Sequence, residues 1–118
     1  MTLYGIKNCD SVKKAKRWLD RHSVDYRFHD FRVDGLQQQL LNDWFKRAEY
    51  TVLLNTRSRT WKELSTDERD KMQQEKALQL MLEYPTLIKR PVMDTGKVLL
   101  VGFSDECYNN LFCLDDKG

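Results

Sequence analysis

Apolar residues change their spacing several times along this chain, and each change marks a different kind of element. Residues 2–6, Thr-Leu-Tyr-Gly-Ile, form a short apolar run that predicts a buried strand. Over residues 10–22 the spacing turns helical. Val12, Ala15, Trp18, Leu19 and His22 fall close to one face, with Lys13, Lys14, Lys16 and Arg17 mostly outside it. Residues 25–31 alternate, with Tyr26 and Phe28 on one side, as in a strand. Strand, helix and strand in such a short span predict a βαβ unit with a parallel pair.

The middle of the chain reads as helical. Leu36, Leu40, Leu41, Trp44, Phe45 and Ala48 recur at helical spacing, which predicts a helix over roughly 35–48. Ser65-Thr66-Asp67-Glu68 fits a capping box, and helix formers continue from there to Tyr84. This stretch is one helix or two, since Gln73-Gln74-Glu75-Lys76 is polar all round, and Pro85 ends it. A polar, basic loop, Asn55-Thr56-Arg57-Ser58-Arg59, separates the two helical regions. The aromatic residues Trp18, Trp44, Phe45 and Tyr84 are expected in the core.

The last third changes period again. Residues 87–93 read as extended, Asp94-Thr95-Gly96-Lys97 as a turn and Val98-Leu99-Leu100-Val101 as a strand. Ser104 is placed to cap a final helix. The predicted order is βαβ, helices, then ββα.

Bulk properties narrow the function classes. A chain of 118 residues, 41% hydrophobic and 32% charged, suits one soluble domain with a modest core. A net charge of +2 gives no support to a nucleic-acid binder driven by overall charge. The start, MTLYGIKNCD, lacks the basic and apolar regions of a signal peptide, and no apolar stretch approaches the roughly 20 residues that span a bilayer. Three cysteines are an odd count, unlike a secreted disulfide framework, so the reducing cytoplasm is the expected compartment. The expected partners include no membrane and no nucleic acid, and the chain is expected to be a monomer. No H-x-x-H, C-x-x-C or carboxylate cluster suggests a metal, and no nucleotide is expected.

Cys9 is the residue around which chemistry can be built. It stands between the first predicted strand and the first predicted helix, where the positive end of the helix dipole favours the thiolate, the reactive form of cysteine. Lys7 and Lys13 add positive charge, and Asp10 opposes it. A cysteine after the first strand of a βαβ…ββα chain is the layout of the thioredoxin fold. The usual redox pair there is C-x-x-C, but the position three after Cys9 is Val12. A mixed disulfide on Cys9 therefore needs an outside thiol to release it, and glutathione or a glutaredoxin-like reductant is the simplest candidate. Cys107 and Cys113 both fall in the predicted last helix on different faces, and packing is the plain reading of each.

Several segments taken together carry a family resemblance. They are Tyr4-Gly5-Ile6-Lys7-Asn8-Cys9-Asp10, Tyr26-Arg27-Phe28-His29-Asp30, Leu54-Asn55-Thr56-Arg57 with Trp61, Ile88-Lys89-Arg90-Pro91, and Val101-Gly102-Phe103-Ser104. On these the chain resembles the arsenate reductase (ArsC) family, most closely its YffB branch. The resemblance implies a single α/β, thioredoxin-like (glutaredoxin-like) domain over residues 1–118, with a helical insertion at about 34–84 between the βαβ and ββα units. It implies that Cys9 is the nucleophile and that Arg90, before a cis Pro91, is an anion ligand. Asn8, Lys13 and Arg57 are further candidates for substrate or anion binding.

The same resemblance implies a thiol reductase with glutathione as co-substrate. Two alternatives stay open: an arsenate reductase coupled to glutathione and glutaredoxin, and an Spx-like regulator that binds RNA polymerase. True arsenate reductases place further arginines in the insertion loop and near the end of the last strand. Arg57 or Arg59 suits the first position only with a shifted register, and Val101 and Gly102 occupy the second. Spx proteins usually carry C-x-x-C, which Val12 breaks.

Overall fold

A computed structural model of the chain describes residues 1–116, with side chains described through Phe112. Two compact units make it up, one of residues 1–30 with 90 onward, the other of residues 31–89.

The first unit holds a four-stranded sheet: β1 (Thr2–Gly5), β2 (Arg27–Asp30), β3 (Val92–Asp94) and β4 (Leu99–Val101), in the order β2-β1-β3-β4. β1 and β2 are parallel, as the βαβ pattern predicts, while β3 runs antiparallel to both β1 and β4. The register aligns Phe28, Leu3, Met93 and Leu100 in one row across all four strands. Side chains that share a row share a face of a sheet. This row packs under α1 (Asp10–Arg21), whose Ala15, Trp18 and Leu19 join Leu3 and Met93 in one buried cluster with Tyr108. Each fully buried Leu or Met of that kind stabilises the unit by about 1.5–3 kcal/mol.

α7 (Asp105–Asp116) closes the same face. Tyr108 and Phe112 meet the Trp18 ring at 5.4 Å each, Tyr108 edge-on. Cys113 falls outside the described side chains. His22 is exposed rather than part of the apolar stripe, and its ring stacks on Trp18 at 3.9 Å. α1 stops there because Ser23 takes a left-handed φ of 56°, and Val24 N–H bonds back to the Leu19 carbonyl.

The second unit is helical: α2 (Gln38–Arg47), α3 (Tyr50–Leu53), α4 (Arg59–Glu63), α5 (Thr66–Asp70) and α6 (Gln74–Glu83), followed by a 3₁₀ turn at Pro85–Leu87. α2 starts later than its periodicity predicts, because Gly35 has φ +89°, which no right-handed helix admits. The stretch from Ser65 is two helices, and the predicted capping box is present in full at the start of α5. Two short helices, α3 and α4, have no counterpart in the sequence reading. Leu41, Trp44, Leu53 and Met81 are fully buried, whereas Tyr84, expected in the core, is 42% exposed where α6 ends before Pro85.

Candidate active site

Strand direction decides what meets what. β1, β2 and β4 run the same way, and β3 runs against them. The end of β1, the end of β2, the start of β3 and the end of β4 therefore lie together at one edge of the sheet. This edge holds the loop to Cys9, Asp30 as the last paired residue of β2 and, one residue beyond the ladder, the Arg90–Pro91 bond before β3 and Gly102 after β4.

The loop from β1 to α1 is held at both ends. Cys9 N–H donates to the Ile6 carbonyl at 3.2 Å, which closes a turn. Lys7 N–H donates to the carboxylate of Asp30 at 3.1 Å. Asp30 is only 6% exposed, and it brings a buried charge to the base of the thiol loop. A buried carboxylate is costly unless hydrogen-bonded, so the loop amide and Asp30 each need the other. Nothing local in the sequence marks this pair. It depends on the parallel register that sets Gly5 beside Asp30.

Gly5 is the second feature that the sequence pattern does not single out. A Cβ built there would lie 2.6 Å from Cγ2 of Val12. The strand and the first turn of α1 are thus in backbone-to-side-chain contact, and only glycine fits. Val12 is fully buried by this contact, so the place where a C-x-x-C protein has its second thiol is here a packing position.

Cys9 itself is half-buried, extended (φ −104°, ψ 127°), and occupies the N-cap position of α1. Its carbonyl accepts the first helical bond, from Lys13 N–H at 3.0 Å. Its side chain makes no capping hydrogen bond. N-cap side chains are usually oxygen acceptors that satisfy the second or third helical amide. A neutral thiol is a poor acceptor, so the first-turn amides that an oxygen at the N-cap would satisfy have no side-chain cap here.

The other predicted site residues divide. The Arg90–Pro91 bond is cis. Pro91 is buried, its carbonyl accepts Gly102 N–H at 2.8 Å, and Arg90 is half-buried. Asn8 and Lys13 are exposed on either side of Cys9 in the chain. Arg57 is exposed in the helical unit, where its N–H donates to Oδ1 of Asn55 in the turn leading to α4. Among the described residues no cluster of His, Cys, Asp and Glu can hold a metal ion. No helix among them is long and apolar enough to cross a membrane.

An N-cap cysteine after the first strand of a four-stranded βαβ…ββα sheet, with a cis-proline before β3 at the same sheet edge, invites comparison with known proteins. The sequence model of the ArsC family matches residues 4–111. The chain belongs to the ArsC family. Its fold is thioredoxin-like. It superposes on the solved structure of a YffB protein with a TM-score of 0.86 at 39% identity, covering 92% of this chain and 96% of that one. An arsenate reductase (ArsC) related protein from Brucella melitensis gives a TM-score of 0.80 at 40% identity, with 94% and 92% covered. Among curated sequences, the global transcriptional regulator Spx 2 of Bacillus cereus is 30% identical over 106 residues, 88% of this chain and 80% of that protein.

Proposed function

We propose that this ArsC-family protein is a glutathione-dependent thiol reductase working through the single cysteine Cys9. The observation that carries this reading is the N-cap cysteine whose side chain leaves the helix uncapped, at the sheet edge that also holds Arg90 and Pro91. A protein–glutathione mixed disulfide is the substrate. The Cys9 thiolate attacks the glutathione sulfur, the protein leaves as its thiolate, and Cys9 becomes a mixed disulfide with glutathione. A second glutathione thiolate then attacks that disulfide, releasing glutathione disulfide and the free Cys9 thiolate. In total the incoming glutathione sulfur is oxidised from thiol to disulfide as the protein sulfur is reduced from disulfide to thiol, and the glutathione sulfur already in the mixed disulfide keeps its oxidation level. The helix amides stabilise the Cys9 thiolate as attacker and as leaving group. Arg90 offers a planar fork for a glutathione carboxylate.

Arsenate is the weaker substrate reading. An oxyanion needs donors, and Val101 and Gly102 have no side-chain donor at the strand end. The Gly102 amide is already bonded to Pro91. Losing one donor from an oxyanion site typically costs about 10²–10³ in rate. The Spx-like reading is supported by the regulator relatives, and the buried Val12 weighs against a C-x-x-C switch.

The test is turnover of a glutathionylated protein with intact-mass detection of the adduct on Cys9. Arg90→Ala should raise KM for glutathione more than it lowers kcat. Efficient glutaredoxin-coupled arsenate turnover would replace this reading with the reductase of the family's name. Wild-type regulation by Cys9→Ala together with capture of RNA polymerase subunits would replace it with the regulator.

A further inference from the structure

A second feature of the sheet unit lies on the outer side of α1. A cleft of about 460 Å³ runs between α1 and the start of α7. Lys14, Arg17 and Arg21 line it from α1, half-buried Phe103 supplies apolar surface, and Ser104 and Asp105 line it from the start of α7. The three cations recur at helical spacing, so they form a single ridge about 10 Å long. All three are exposed, and among the described residues none is in an ion pair. Like charges at this spacing destabilise an isolated helix. Here they border a concave surface beneath which Trp18 is buried in the core.

We propose that this cleft docks an acidic, extended segment of a partner protein. Carboxylates on such a segment meet the ridge. An intervening apolar side chain lies against Phe103, and Asp105 accepts a backbone N–H of the segment. The spread of the three cations over about 10 Å argues for an extended segment with several carboxylates, since a single small anion meets only one or two of them. The length argues against a nucleic acid, whose affinity grows with the number of phosphates neutralised, and a ridge of three cations neutralises few. The cleft begins at Ser11, in the first turn of α1, so a docked segment lies along the helix that starts at Cys9. The docking itself needs no chemistry at that thiol.

The probe is a fluorescein-labelled octapeptide, Glu-Asp-Leu-Glu-Asp-Leu-Glu-Asp, titrated into the full chain and followed by anisotropy and by ¹H–¹⁵N shifts. Binding is expected at about 50 mM salt with the largest shifts at Lys14, Arg17, Arg21 and Phe103–Asp105, and it should weaken steeply toward about 0.3 M. Arg17→Glu with Arg21→Glu should weaken it by roughly tenfold or more at an unchanged circular dichroism spectrum. Should that pair unfold, Lys14→Gln with Arg17→Gln makes the same test with a milder change. Lys62→Glu, in the other unit, should leave binding unaltered. Four results would overturn the proposal: no binding at low salt, equal binding of the Gln/Asn analogue, shifts that map elsewhere, or tighter binding of a single-stranded oligonucleotide of equal charge. Displacement of the peptide by inorganic phosphate at equimolar concentration would overturn it too, by reducing the cleft to a simple anion site.

Discussion

Helices α1 and α7 start at the same edge of the sheet, each a few residues past a strand that runs the same way, yet their first turns are built differently. At α7 the N-cap is Ser104, whose Oγ accepts the Cys107 amide at 3.1 Å. At α1 the N-cap is Cys9, and its side chain caps nothing. Each helix thus has a cysteine in or beside its first turn, close to the positive end of a dipole. Cys107 is the exposed third helical residue behind a satisfied cap, while Cys9 is the half-buried cap position itself. The difference separates a helix start capped by its side chain from one left without a side-chain cap, and on the proposed function the latter's amides serve the reacting sulfur. Proximity to a dipole does not distinguish the two thiols. Occupancy of the cap does.

Exchanging the sulfurs one at a time gives the largest expected effect. Cys9→Ser should reduce glutathione adduct formation and turnover of a glutathionylated substrate to the uncatalysed level, and Cys107→Ser should leave both near wild type. Intact mass after a short exposure to glutathione disulfide reads out the adduct. An adduct that persists in Cys9→Ser and vanishes in Cys107→Ser would reverse the assignment of the two helix starts.

The second test moves the backbone behind Cys9 rather than the thiol. Gly5→Ala puts a methyl 2.6 Å from the Val12 side chain, so α1 must shift away from β1 or Val12 must leave its rotamer. Overpacking of this kind typically costs about 1–3 kcal/mol. Urea unfolding should show the loss as a lower midpoint at unchanged slope. Alkylation of Cys9 by iodoacetamide should change in rate, while that of Cys107 should not. A variant as stable as wild type would mean that the strand and helix have slack, and the tight packing behind the thiol would lose its argument.

Much of this contrast could be read from residue order, and the unread parts share a cause. The strand segments that carry Leu3, Phe28, Met93 and Leu100, the α1 stripe of Val12, Ala15, Trp18 and Leu19, the Ser65 capping box and the turn at Asp94–Lys97 are all local patterns, and each is present; the row those four strand residues form depends on register. Cys9 was visible as a thiol at a strand-to-helix junction. Asp30 was not visible as the anchor of its loop, because it reaches Lys7 from 23 residues away and only β-register brings them together. The steric role of Gly5 depends on the same three-dimensional approach. α3 and α4, of 4 and 5 residues, are too short for any periodicity to show. Tyr84 reads as core because an aromatic at the end of an apolar helix usually packs, but the helix stops there and leaves the residue 42% exposed.

The third test compares the caps directly, as stability. Ser104→Ala removes an oxygen acceptor from the first turn of α7 and should cost about 1 kcal/mol. Cys9→Ser does the opposite at α1. It puts a hydroxyl where no side chain caps and should raise stability by about 0.5–1 kcal/mol while abolishing the chemistry. Paired urea curves decide the matter. If Cys9→Ser is neutral or destabilising, the first turn of α1 is already satisfied and the thiolate has less to gain there.

The smallest effect concerns Tyr108, one residue beyond the amide that Ser104 caps. Its ring is fully buried and packs edge-on against Phe103 at 4.7 Å and against Trp18. Among the described residues its hydroxyl has no hydrogen-bond partner. A buried hydroxyl without a partner carries its desolvation penalty with no return, so Tyr108→Phe should keep the aromatic contacts and be neutral or stabilising by up to about 1 kcal/mol. The ionisation argument points the same way at high pH. Burial pushes the Tyr108 phenol above its ordinary value of 10.0, so the folded state keeps a proton that the unfolded chain gives up. Below that ordinary value both states are protonated and the group adds no pH dependence. Above it the unfolded state binds fewer protons, and stability must fall as pH rises toward the folded value. Wild type should therefore lose stability above pH 10 faster than Tyr108→Phe, and the two urea midpoints should diverge as pH increases. Parallel midpoints from neutral pH upward, or a clear loss of stability in Tyr108→Phe, would mean that the hydroxyl is held by a partner and that the first turns of α7 contain a polar contact as deliberate as the Ser104 cap.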